Sequence, residues 1–346
     1  MDNIYVAVSG INAVDNPGPG VAVARSLKED EELGVQVAGL AYDAMEPGVY
    51  MDWVVDRSFL MPYPSGKGQD YIDRLLYIKE SFGLDLALPN LDAELPLYIQ
   101  YAEQLEDAGI KTFLPTKEQF RLRGKDRLVE VAEKINISIP ETQAVHSVDA
   151  LVDAIGEIGL PVMVKGSYYQ AYRAYTTQEA VGFYNKLVAE WGYPIIVQQV
   201  VTGDELNVVG IGDGEGESLG MLGMKKTWIT SQGKVWTGVT VKNERMLEAA
   251  ANLVREFKWR GPFELECIVS GDDVFLIEIN PRFPAWCYLA TGVGLNLPAR
   301  LVRRALGLPY ETNSDYEAGK LFVRYTYELV TSMDRLQAAT TRGESP

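Results

Sequence analysis

Short apolar runs alternate with helical stretches over the first 115 residues, and this alternation constrains the fold more than any other feature. The run Ile4–Ser9 leads through a loop rich in glycine and proline (10–20) to a helical stretch, Val21–Leu27, and a second run, Val35–Tyr42. This order predicts a parallel sheet, because parallel neighbours need a crossover connection. A helix, a strand, a helix and a strand follow: Asp70–Phe82, Leu84–Pro89, Leu95–Ala108 and Ile110–Leu114. Residues 1–115 are therefore predicted to form one doubly wound α/β domain.

The chain changes character after residue 115. Three helices and two strands are predicted next, as in a small α+β module: Lys117–Ile135, Val148–Ile158, Gln178–Trp191, Val162–Lys165 and Ile195–Val200. Five strands and one helix follow: Glu205–Gly210, Leu219–Trp228, Val235–Thr240, Phe263–Val269, Val274–Asn280 and Asn243–Phe257. Closely spaced strands predict an antiparallel sheet backed by helices. The polar residues after Ala338 are predicted to be frayed.

Acidic side chains outnumber basic ones, which narrows the range of partners. The 346 residues include 48 acidic and 32 basic side chains, for a formal net charge of −16. Neutralising phosphates requires clustered lysine and arginine, so this balance argues against nucleic-acid partners and against docking on anionic membranes. No apolar run reaches the length of a bilayer span, and the N-terminus lacks the basic region of a signal peptide. We therefore expect a chain of two or three domains without a membrane anchor.

Histidine and cysteine are scarce, which restricts the catalytic chemistry. The one histidine, His146, lies in a predicted surface connection, and we expect it to have a structural role rather than a catalytic one. A single histidine also excludes zinc sites that are built on several histidine ligands. Cys267 and Cys287 form neither a CxxC motif nor a disulfide framework, so a reducing cytoplasm is the expected location.

Acidic and apolar residues alternate along two predicted strands in the last third of the chain. Glu264 and Glu266 share one face of the first strand, and Glu278 and Asn280 share one face of the second. If the connecting loop is the three residues 271–273, Glu266 lies opposite Glu278, with side-chain origins about 5 Å apart. Two carboxylates and an amide at that separation suit Mg²⁺ or Mn²⁺, which prefer oxygen ligands. The alternative is a face that is simply solvated.

Two lysines carry a second signal of anion binding. Lys125 follows Gly124, and Lys165 ends the apolar strand 161–165. A lysine at the end of a buried strand is uncommon without an anionic partner. Each alone could be a surface lysine, but together with a metal site they indicate two phosphate contacts. The loop Gly18–Gly20 is a weaker signal, for which an anion site and a tight structural turn are competing interpretations.

Five ordered sequence blocks together resemble the ATP-grasp superfamily, closest to its carbamoyl-phosphate-synthase-like branch. They are Gly124–Lys125, Val164–Gly166, Val197–Glu205, Gly261–Glu266 and Ile277–Arg282, and the resemblance covers nearly the whole chain. It implies α/β and α+β architecture, with a Rossmann-like N-terminal domain followed by a two-lobed ATP-grasp fold. The expected parts are the Rossmann-like domain 1–115, a small lobe or lid 116–197, a large antiparallel lobe 198–338 and a polar tail 339–346.

The resemblance also implies which residues bind ATP. Lys125 and Lys165 would contact the nucleotide phosphates. The hinge strand would present its backbone to adenine, and one acid would contact the ribose hydroxyls: Gln198, Gln199, Val200 and Val201, with Glu205. The lid loop 166–173 departs from the family pattern because it holds a single glycine. Arg173 could supply the charge that fewer backbone amides leave missing.

Further residues match the metal and transfer positions of the superfamily. Glu266, Glu278 and Asn280 match the positions that hold Mg²⁺, or Mn²⁺ in its place. Arg282 matches the arginine beside the transferred phosphoryl group. Lys226 is a further candidate for a phosphate or substrate contact, and Lys225 could take that role instead.

The resulting hypothesis is an ATP-dependent carboxylate–amine ligase, which forms an amide through an acyl phosphate and releases ADP and phosphate. Phosphoryl transfer needs positioning and charge neutralisation rather than a histidine base. Two alternatives stay open: a stand-alone carbamoyl-phosphate-synthase-like enzyme that phosphorylates bicarbonate or carbamate, and a non-catalytic ATP-binding regulatory protein. The expected partners are small-molecule carboxylate and amine substrates, and the resemblance is compatible with a homodimer.

Three segments are candidates for contacting the substrate, namely Asn12–Gly20, Asp92–Glu94 and Phe283–Trp286. Within them, Glu94 is expected to cap the helix that begins near Leu95 rather than to meet substrate. Phe283 and Trp286 are expected to be packing residues, with an apolar substrate wall as the alternative.

Overall fold

The computed structural model describes residues 3–13, 17–124, 127–166, 170–230 and 233–346 of the chain. Contacts divide the chain into two compact units. The first unit comprises Met1–Arg123, Leu206–Leu265 and Ile279–Pro346, and the second comprises Gly124–Glu205 and Glu266–Glu278. The predicted domain boundaries stay a prediction. Within the described ranges, no helix is both long enough and apolar enough to cross a membrane.

Strands and helices are mixed along the whole chain. The described strands are β1 (Ile4–Ser9), β2 (Val35–Ala41), β3 (Arg57–Leu60), β4 (Leu86–Leu88), β5 (Thr142–Val145), β6 (Val162–Lys165), β7 (Ala171–Ala174), β8 (Ile195–Gln199), β9 (Asp204–Asp213), β10 (Ser218–Ile229), β11 (Val235–Val241), β12 (Arg260–Ser270), β13 (Asp273–Asn280), β14 (Leu321–Val323) and β15 (Glu344–Ser345). The described α-helices are α1 (Gly20–Lys28), α2 (Gly68–Phe82), α3 (Leu95–Gln100), α4 (Ala102–Asp107), α5 (Lys117–Arg121), α6 (Leu128–Ile135), α7 (Val148–Ile158), α8 (Thr177–Trp191), α9 (Glu244–Phe257), α10 (Tyr288–Gly292), α11 (Leu297–Leu306) and α12 (Met333–Arg342).

The N-terminal sheet of the first unit has the order β15-β3-β2-β1-β4. β1 pairs in parallel with β2, from Ile4↔Val35 to Ser9↔Leu40, and with β4 on its other side. β3 joins β2 in parallel as well, so the predicted parallel sheet of the α/β class is confirmed. Because the chain builds outward from β1 to β3 and then returns to add β4, the β1/β4 boundary is a switch point, where ligands bind in many α/β proteins.

The predicted strand Ile110–Leu114 is wrong. Within this fully described segment the structure has one parallel bridge, between Leu86 and Lys111. The guanidinium of Arg260 donates to the carbonyls of Thr112 and Leu114, both at 2.9 Å. Side-chain donors therefore satisfy backbone groups that a strand would have given to its neighbours.

Two predicted helices are each divided in the structure. Leu95–Ala108 becomes α3 and α4, because Tyr101 has φ −103° and ψ 18°, outside the helical region. Lys117–Ile135 becomes α5 and α6, and α5 ends at Arg121, three residues before Gly124. Glycine lowers helix stability by about 1 kcal/mol relative to alanine, so periodicity alone overestimated the length of this helix.

The predicted frayed tail is also wrong. α12 runs to Arg342, and β15 pairs antiparallel with β3 through Glu344↔Phe59 and Ser345↔Ser58. Ser345 has 0% exposed surface. The polar tail thus covers the outer edge of β3 in the N-terminal sheet. The backbone hydrogen bonds between β15 and β3 hold the tail in place.

The loop Gly18–Gly20 is a tight structural turn rather than an anion site. Gly18 N–H donates to the Asn12 carbonyl at 2.9 Å, and Gly20 N–H donates to the Gly10 carbonyl at 2.8 Å. A Cβ atom on Gly20 would lie 2.1 Å from the Ser9 carbonyl oxygen. The glycines are needed for this close approach of two backbone segments, and both amides are already used.

The second unit contains an antiparallel sheet with the order β5-β8-β6-β7. Val162 and Val164 of β6 pack with Ile195 and Val197 of β8 in a core that includes residues of α7 and α8. The strands β5 and β7 are additions to the prediction, which treated both segments as connections. Because one face of the sheet packs on the helices, alternate residues point to the other face.

The first unit also holds β10, β11, β14 and most of β9, which belong to a sheet with the order β13-β12-β9-β10-β11-β14. β10 pairs antiparallel with both β9 and β11, and β11 pairs antiparallel with β14. The predicted antiparallel sheet is therefore confirmed, and so is the combination of one mainly parallel sheet with two antiparallel ones.

Candidate functional site

The face of the four-stranded sheet directed away from α7 and α8 carries three predicted site residues. Met163 of β6 is paired with Gln198 of β8 on one side and with Arg173 of β7 on the other. Cross-strand partners share a face, and so does Lys165, two residues after Met163 on β6. Lys165 Nζ donates to Gln198 Oε1 at 2.6 Å, and Gln198 Nε2 donates to Thr142 Oγ1 at 2.9 Å. The structure therefore brings Lys165, Gln198 and Arg173 to one face.

Two acids of the same unit act on Lys165. Burial lowers the pKa of the Lys165 ammonium from its ordinary value, because a charged group loses solvation, while Glu278 and Glu266 oppose this shift through their charges. Both carboxylates are therefore near enough to Lys165 for their charges to act on its ammonium. The predicted phosphate contact and two predicted metal ligands are brought together within this unit.

The loop between β12 and β13 is shorter than predicted. Asp273 belongs to β13, which leaves two residues, Gly271 and Asp272, in place of three. Gly271 has φ +61°, the left-handed region that a tight hairpin turn requires. In a regular hairpin, a turn shortened by one residue would change which residues of β12 and β13 lie opposite each other. Asn280 of β13 nevertheless lies close to Glu264 of β12, because its Nδ2 donates to Glu264 Oε2 at 3.0 Å. Direct pairing of Glu266 with Glu278 stays a prediction.

In the first unit, Arg282 is held by an acid that follows β4. Arg282 Nε donates to Asp92 Oδ2 at 3.0 Å, and Arg123 donates to Asp92 Oδ1 at 2.6 Å. Burial would raise the pKa of the Asp92 carboxyl, but the two arginines outweigh it and hold that pKa below its ordinary value. Each of its oxygens accepts a hydrogen bond from one of these arginines, and a contact of Asp92 with substrate stays a prediction.

Glu94 does not cap α3, contrary to expectation. It stands before the helix, but its side chain makes no capping hydrogen bond. Its fully buried carboxyl accepts hydrogen bonds from the hydroxyls of Ser9 and Tyr42. Burial raises the pKa of Glu94 to about 7, although these hydrogen bonds favour the ionised form. The carboxyl therefore lies at the carboxyl ends of β1 and β2, close to the β1/β4 switch point.

The remaining predicted residues lie in separate positions. Gln199 ends β8, its Oε1 accepting from the Glu141 N–H at 3.3 Å, and half-buried Val200 and Val201 follow it. Glu205 is exposed near the start of β9. Lys125 lies outside the described residues. His146 is exposed and stacks on Tyr193 with ring centroids 6.2 Å apart, which suits the structural role expected for it.

Lys226 lies on a face of the large sheet that also carries Asn207 and Phe322. Asn207 pairs with Met224, two residues before Lys226 on β10, and Gly238 pairs with both Lys226 and Phe322. Because cross-strand partners and alternate residues share a face, all of these side chains emerge on one side within the first unit.

Arg324 was missed by the sequence analysis, since no motif contains it. The residue follows β14, its guanidinium lies 5.5 Å from the Phe322 ring centroid, and one terminal nitrogen donates to the Ala285 carbonyl. Its Nε atom is buried and has no hydrogen-bond partner among the described residues. Burial lowers the pKa of this guanidinium, and Cys287 opposes the shift. A cation in this position is suited to an anionic ligand.

Glu264 was also missed, although its face was predicted. The sequence analysis placed it beside Glu266 but assigned it no role. It is 4% exposed and accepts hydrogen bonds from Asn207, Asn280 and Trp286. Phe283 and Trp286 are themselves 1% and 2% exposed, so the expected packing role is confirmed for both.

The predicted ligand set fits a hard divalent cation by its chemistry. Glu266, Glu278 and Asn280 offer carboxylate and amide oxygens, which are the donors that Mg²⁺ takes in proteins. The amide nitrogen of Asn280 donates to Glu264, and its oxygen accepts from Arg282 Nη2 at 3.3 Å. Within the described ranges there is no cluster of three or more histidine, cysteine or acidic side chains that could hold a metal.

Comparison with known proteins identifies the architecture. Residues 193–327 match the family described as "ATP-grasp in the biosynthetic pathway with Ter operon". This segment is similar to ATP-grasp proteins. This match includes the hinge, both predicted metal-binding strands and Arg282, so the resemblance seen in the motifs is confirmed.

Two large chains of carbamoyl phosphate synthase are among the relatives by sequence. The protein is 21% identical over 244 residues to the arginine-specific carbamoyl phosphate synthase large chain of Bacillus subtilis, covering 66% of this chain. It is 24% identical over 241 residues to the carbamoyl phosphate synthase large chain of Clostridium acetobutylicum, covering 62% of this chain. In both cases the match spans 22% of the relative's length.

Solved structures share the fold of this chain over most of its length. Biotin carboxylase of Campylobacter jejuni has a TM-score of 0.68 at 17% identity, with 89% of this chain and 72% of that chain covered. The biotin carboxylase domain of the Hydrogenobacter thermophilus 2-oxoglutarate carboxylase has a TM-score of 0.69 at 17% identity, covering 92% and 73%. An N5-carboxyaminoimidazole ribonucleotide synthetase has a TM-score of 0.64 at 16% identity, covering 90% and 78%.

Proposed function

We propose that this chain is an ATP-grasp carboxylate–amine ligase that forms an amide through an acyl phosphate and releases ADP and phosphate. The observation that carries the proposal is the grouping of Lys165 with Glu266 and Glu278 in one unit. A cation that meets the nucleotide phosphates and acids that meet a divalent metal are the two charges that phosphoryl transfer from ATP needs.

The proposed roles follow the order of the motifs. Lys125, Lys165 and Arg173 bind the phosphates. Four hinge residues face adenine and one acid faces ribose: Gln198, Gln199, Val200 and Val201, with Glu205. The magnesium ligands are Glu266, Glu278 and Asn280. When bound, the ion neutralises phosphate charge and polarises the transferred group.

Arg282 and Lys226 act on the group being transferred in this proposal. Arg282 is fixed by its hydrogen bond to Asp92, so its outer nitrogens can stabilise charge on the phosphoryl oxygens without reorganising. Lys226 and Arg324 supply positive charge for the carboxylate substrate. The amine then attacks the acyl carbon, phosphate leaves, and a carboxylate or water takes the amine proton. Exclusion of water protects the acyl phosphate from hydrolysis.

A second candidate is an enzyme that phosphorylates bicarbonate or carbamate. Two carbamoyl phosphate synthase chains are relatives, and the Hydrogenobacter domain was solved with MgADP and bicarbonate. This candidate uses the same nucleotide site and differs only in the acceptor. A third candidate, a non-catalytic ATP-binding protein, is supported by the single glycine of the lid loop.

We expect ADP and phosphate release with ATP and Mg²⁺ to require both a carboxylate and an amine. The assay measures ADP, AMP and phosphate from the full chain against pooled carboxylates, amino acids and bicarbonate. Lys165→Ala should abolish the signal, because it removes a phosphate contact, whereas the exposed Lys134→Ala should not. Release that depends on bicarbonate alone would favour the second candidate, and AMP with pyrophosphate would contradict an acyl-phosphate mechanism.

The proposal includes a reducing, cytoplasmic location and a homodimer. Both cysteines are buried and unpaired, which suits a reducing compartment. The Hydrogenobacter domain was solved as a dimer. Light scattering on the full chain should give twice the monomer mass of 38.4 kDa, and a monomer at working concentration would contradict this part of the proposal.

A further inference from the structure

The outer edge of β14 is uncovered, whereas three other sheet edges of the chain are covered. β15 pairs along β3, Lys111 forms a bridge to β4, and Ser138 forms a bridge to β13. β14 is the last strand of its sheet, and no strand or bridge among the described residues lies beyond it. Such an edge presents unpaired backbone N–H and C=O groups, which another strand can join.

The backbone hydrogen bonds between β11 and β14 show which residues face outward. Thr240 N–H donates to the Lys320 carbonyl at 2.9 Å. Arg324 N–H donates to the Trp236 carbonyl at 3.0 Å. In an antiparallel ladder, alternate residues direct their backbone groups to the same side. Even-numbered residues from 320 to 324 therefore bond to β11, and odd-numbered residues direct their N–H and C=O groups to the open edge.

The residues whose backbone faces outward are large, apolar and exposed. Leu321 and Val323 of β14 and Tyr325 just after it are 66%, 53% and 75% exposed. Edges that avoid pairing are protected by proline, by bulges or by charged side chains. Residues 320–325 contain no proline, the pairing of β14 has no register shift, and the guanidinium of Arg324 is turned to the Ala285 carbonyl. This edge is therefore suited to pairing.

Charge selects one register for pairing of this edge with a second copy of itself. A two-fold axis must bring outward-facing residues opposite each other, and partners for Leu321 and Val323 within 321–327 allow axes at 322, 323 or 324. An axis at 322 places Lys320 opposite Arg324, and an axis at 324 places Arg324 opposite its own copy. Like charges directly opposite are destabilising. An axis at Val323 opposes Val323 to itself and Leu321 to Tyr325, which are favourable apolar pairs.

We propose that β14 is a homodimer interface, which pairs antiparallel with β14 of a second copy about an axis at Val323. This inference rests on the homodimer of the proposed function and names the surface that forms it. Pairing of two identical edges about a two-fold axis is closed, so both edges are covered and the assembly stops at two copies. The exposed apolar side chains of both copies are then partly removed from water, which favours association.

Val323→Lys and Val323→Glu should each weaken the dimer, because each places two like charges opposite each other at the axis. We expect the dissociation constant to rise by about 10-fold or more in either variant. Val129→Lys is the matched control, since it changes a valine of similar exposure (49%) on α6, and it should associate as the wild type does. Sedimentation of the full chain over a range of concentrations measures the dissociation constant, and the thermal midpoint reports folding.

An equimolar mixture of Val323→Lys and Val323→Glu makes the test independent of damage to the fold. Opposite charges then face each other at the axis, so we expect a dimer with one copy of each variant and close to wild-type affinity. A wild-type dissociation constant in Val323→Lys, or no mixed dimer, would overturn this inference and leave the homodimer itself standing. A monomeric wild type would contradict both, and would show that this edge takes a different partner. The ADP-release assay tests the ligase reaction separately.

Discussion

Replacing Arg282 with alanine is expected to lower turnover by about 10³-fold or more while ATP affinity changes only a few-fold. Arginines that stabilise a transferring phosphoryl group contribute factors of roughly 10³ to 10⁵ in rate. Arg282 is suited to this role because Asp92 and Asn280 hold its guanidinium in one place. An interaction made mainly in the transition state reduces kcat rather than binding. Steady-state kinetics and a separate ATP titration measure the two effects.

Arg123→Ala is the matched control for this experiment. It removes the other arginine from Asp92, so it tests whether loss of the ion pair alone explains the result. We expect Arg123→Ala to retain most of the turnover, since Arg282 still has its own bond to Asp92. Equal losses of turnover and of ATP affinity in Arg282→Ala would contradict the assigned role. Identical kinetics of Arg282→Ala and Arg123→Ala would also contradict the role assigned to Arg282.

A second large effect is expected on stability, from Glu94→Gln. The native state raises the pKa of Glu94 from 4.5 to about 7, chiefly through burial. The native state therefore binds this proton more tightly than the unfolded state does. The contribution of Glu94 to the free energy of unfolding is fully present below pH 4.5 and is lost as pH rises to about 7. At about 1.4 kcal/mol for each pH unit, the loss is about 3 kcal/mol.

Glutamine stays neutral at every pH. The free energy of unfolding of Glu94→Gln should therefore lack the decrease that Glu94 causes in the wild type between pH 4.5 and about 7. Chemical unfolding at a series of pH values from 4.5 to 8 measures the difference between wild type and variant. The free energy of unfolding of the variant should gain about 3 kcal/mol on that of the wild type across that range. The other titrating groups are the same in both proteins, so their contributions cancel in the difference. Glu103→Gln, which changes an exposed acid, should give a difference that does not vary. A flat difference for Glu94→Gln would contradict the raised pKa.

Local patterns were enough to predict most of the secondary structure. Ile4–Ser9, Val162–Lys165 and Val148–Ile158 were predicted with the bounds that the structure gives. The two strands are short apolar runs, and the helix has apolar residues at helical spacing between its capping residues Ser147 and Gly159. The acidic faces of β12 and β13 were found in the same way, from alternation alone.

Features that depend on distant partners could not be predicted from such patterns. Glu94 resembles a helix cap in sequence, but Ser9 and Tyr42 provide its hydrogen bonds from two strands far away in the chain. Glu264 looked equivalent to Glu266 until Asn207 and Trp286 were seen to donate to it. In both cases the burial of a charge decided the role, and burial follows from tertiary packing.

The return of the C-terminal tail to the N-terminal sheet affects how the nascent chain folds. β3 is synthesised early, but the strand that covers its outer edge, Glu344–Ser345, is synthesised about 280 residues later. At about 5–20 residues per second, the ribosome leaves that edge open for tens of seconds. An uncovered strand edge can pair with another nascent chain, so neighbouring ribosomes on one message present a hazard. Chaperones that shield strand edges during translation would therefore increase the yield of folded protein.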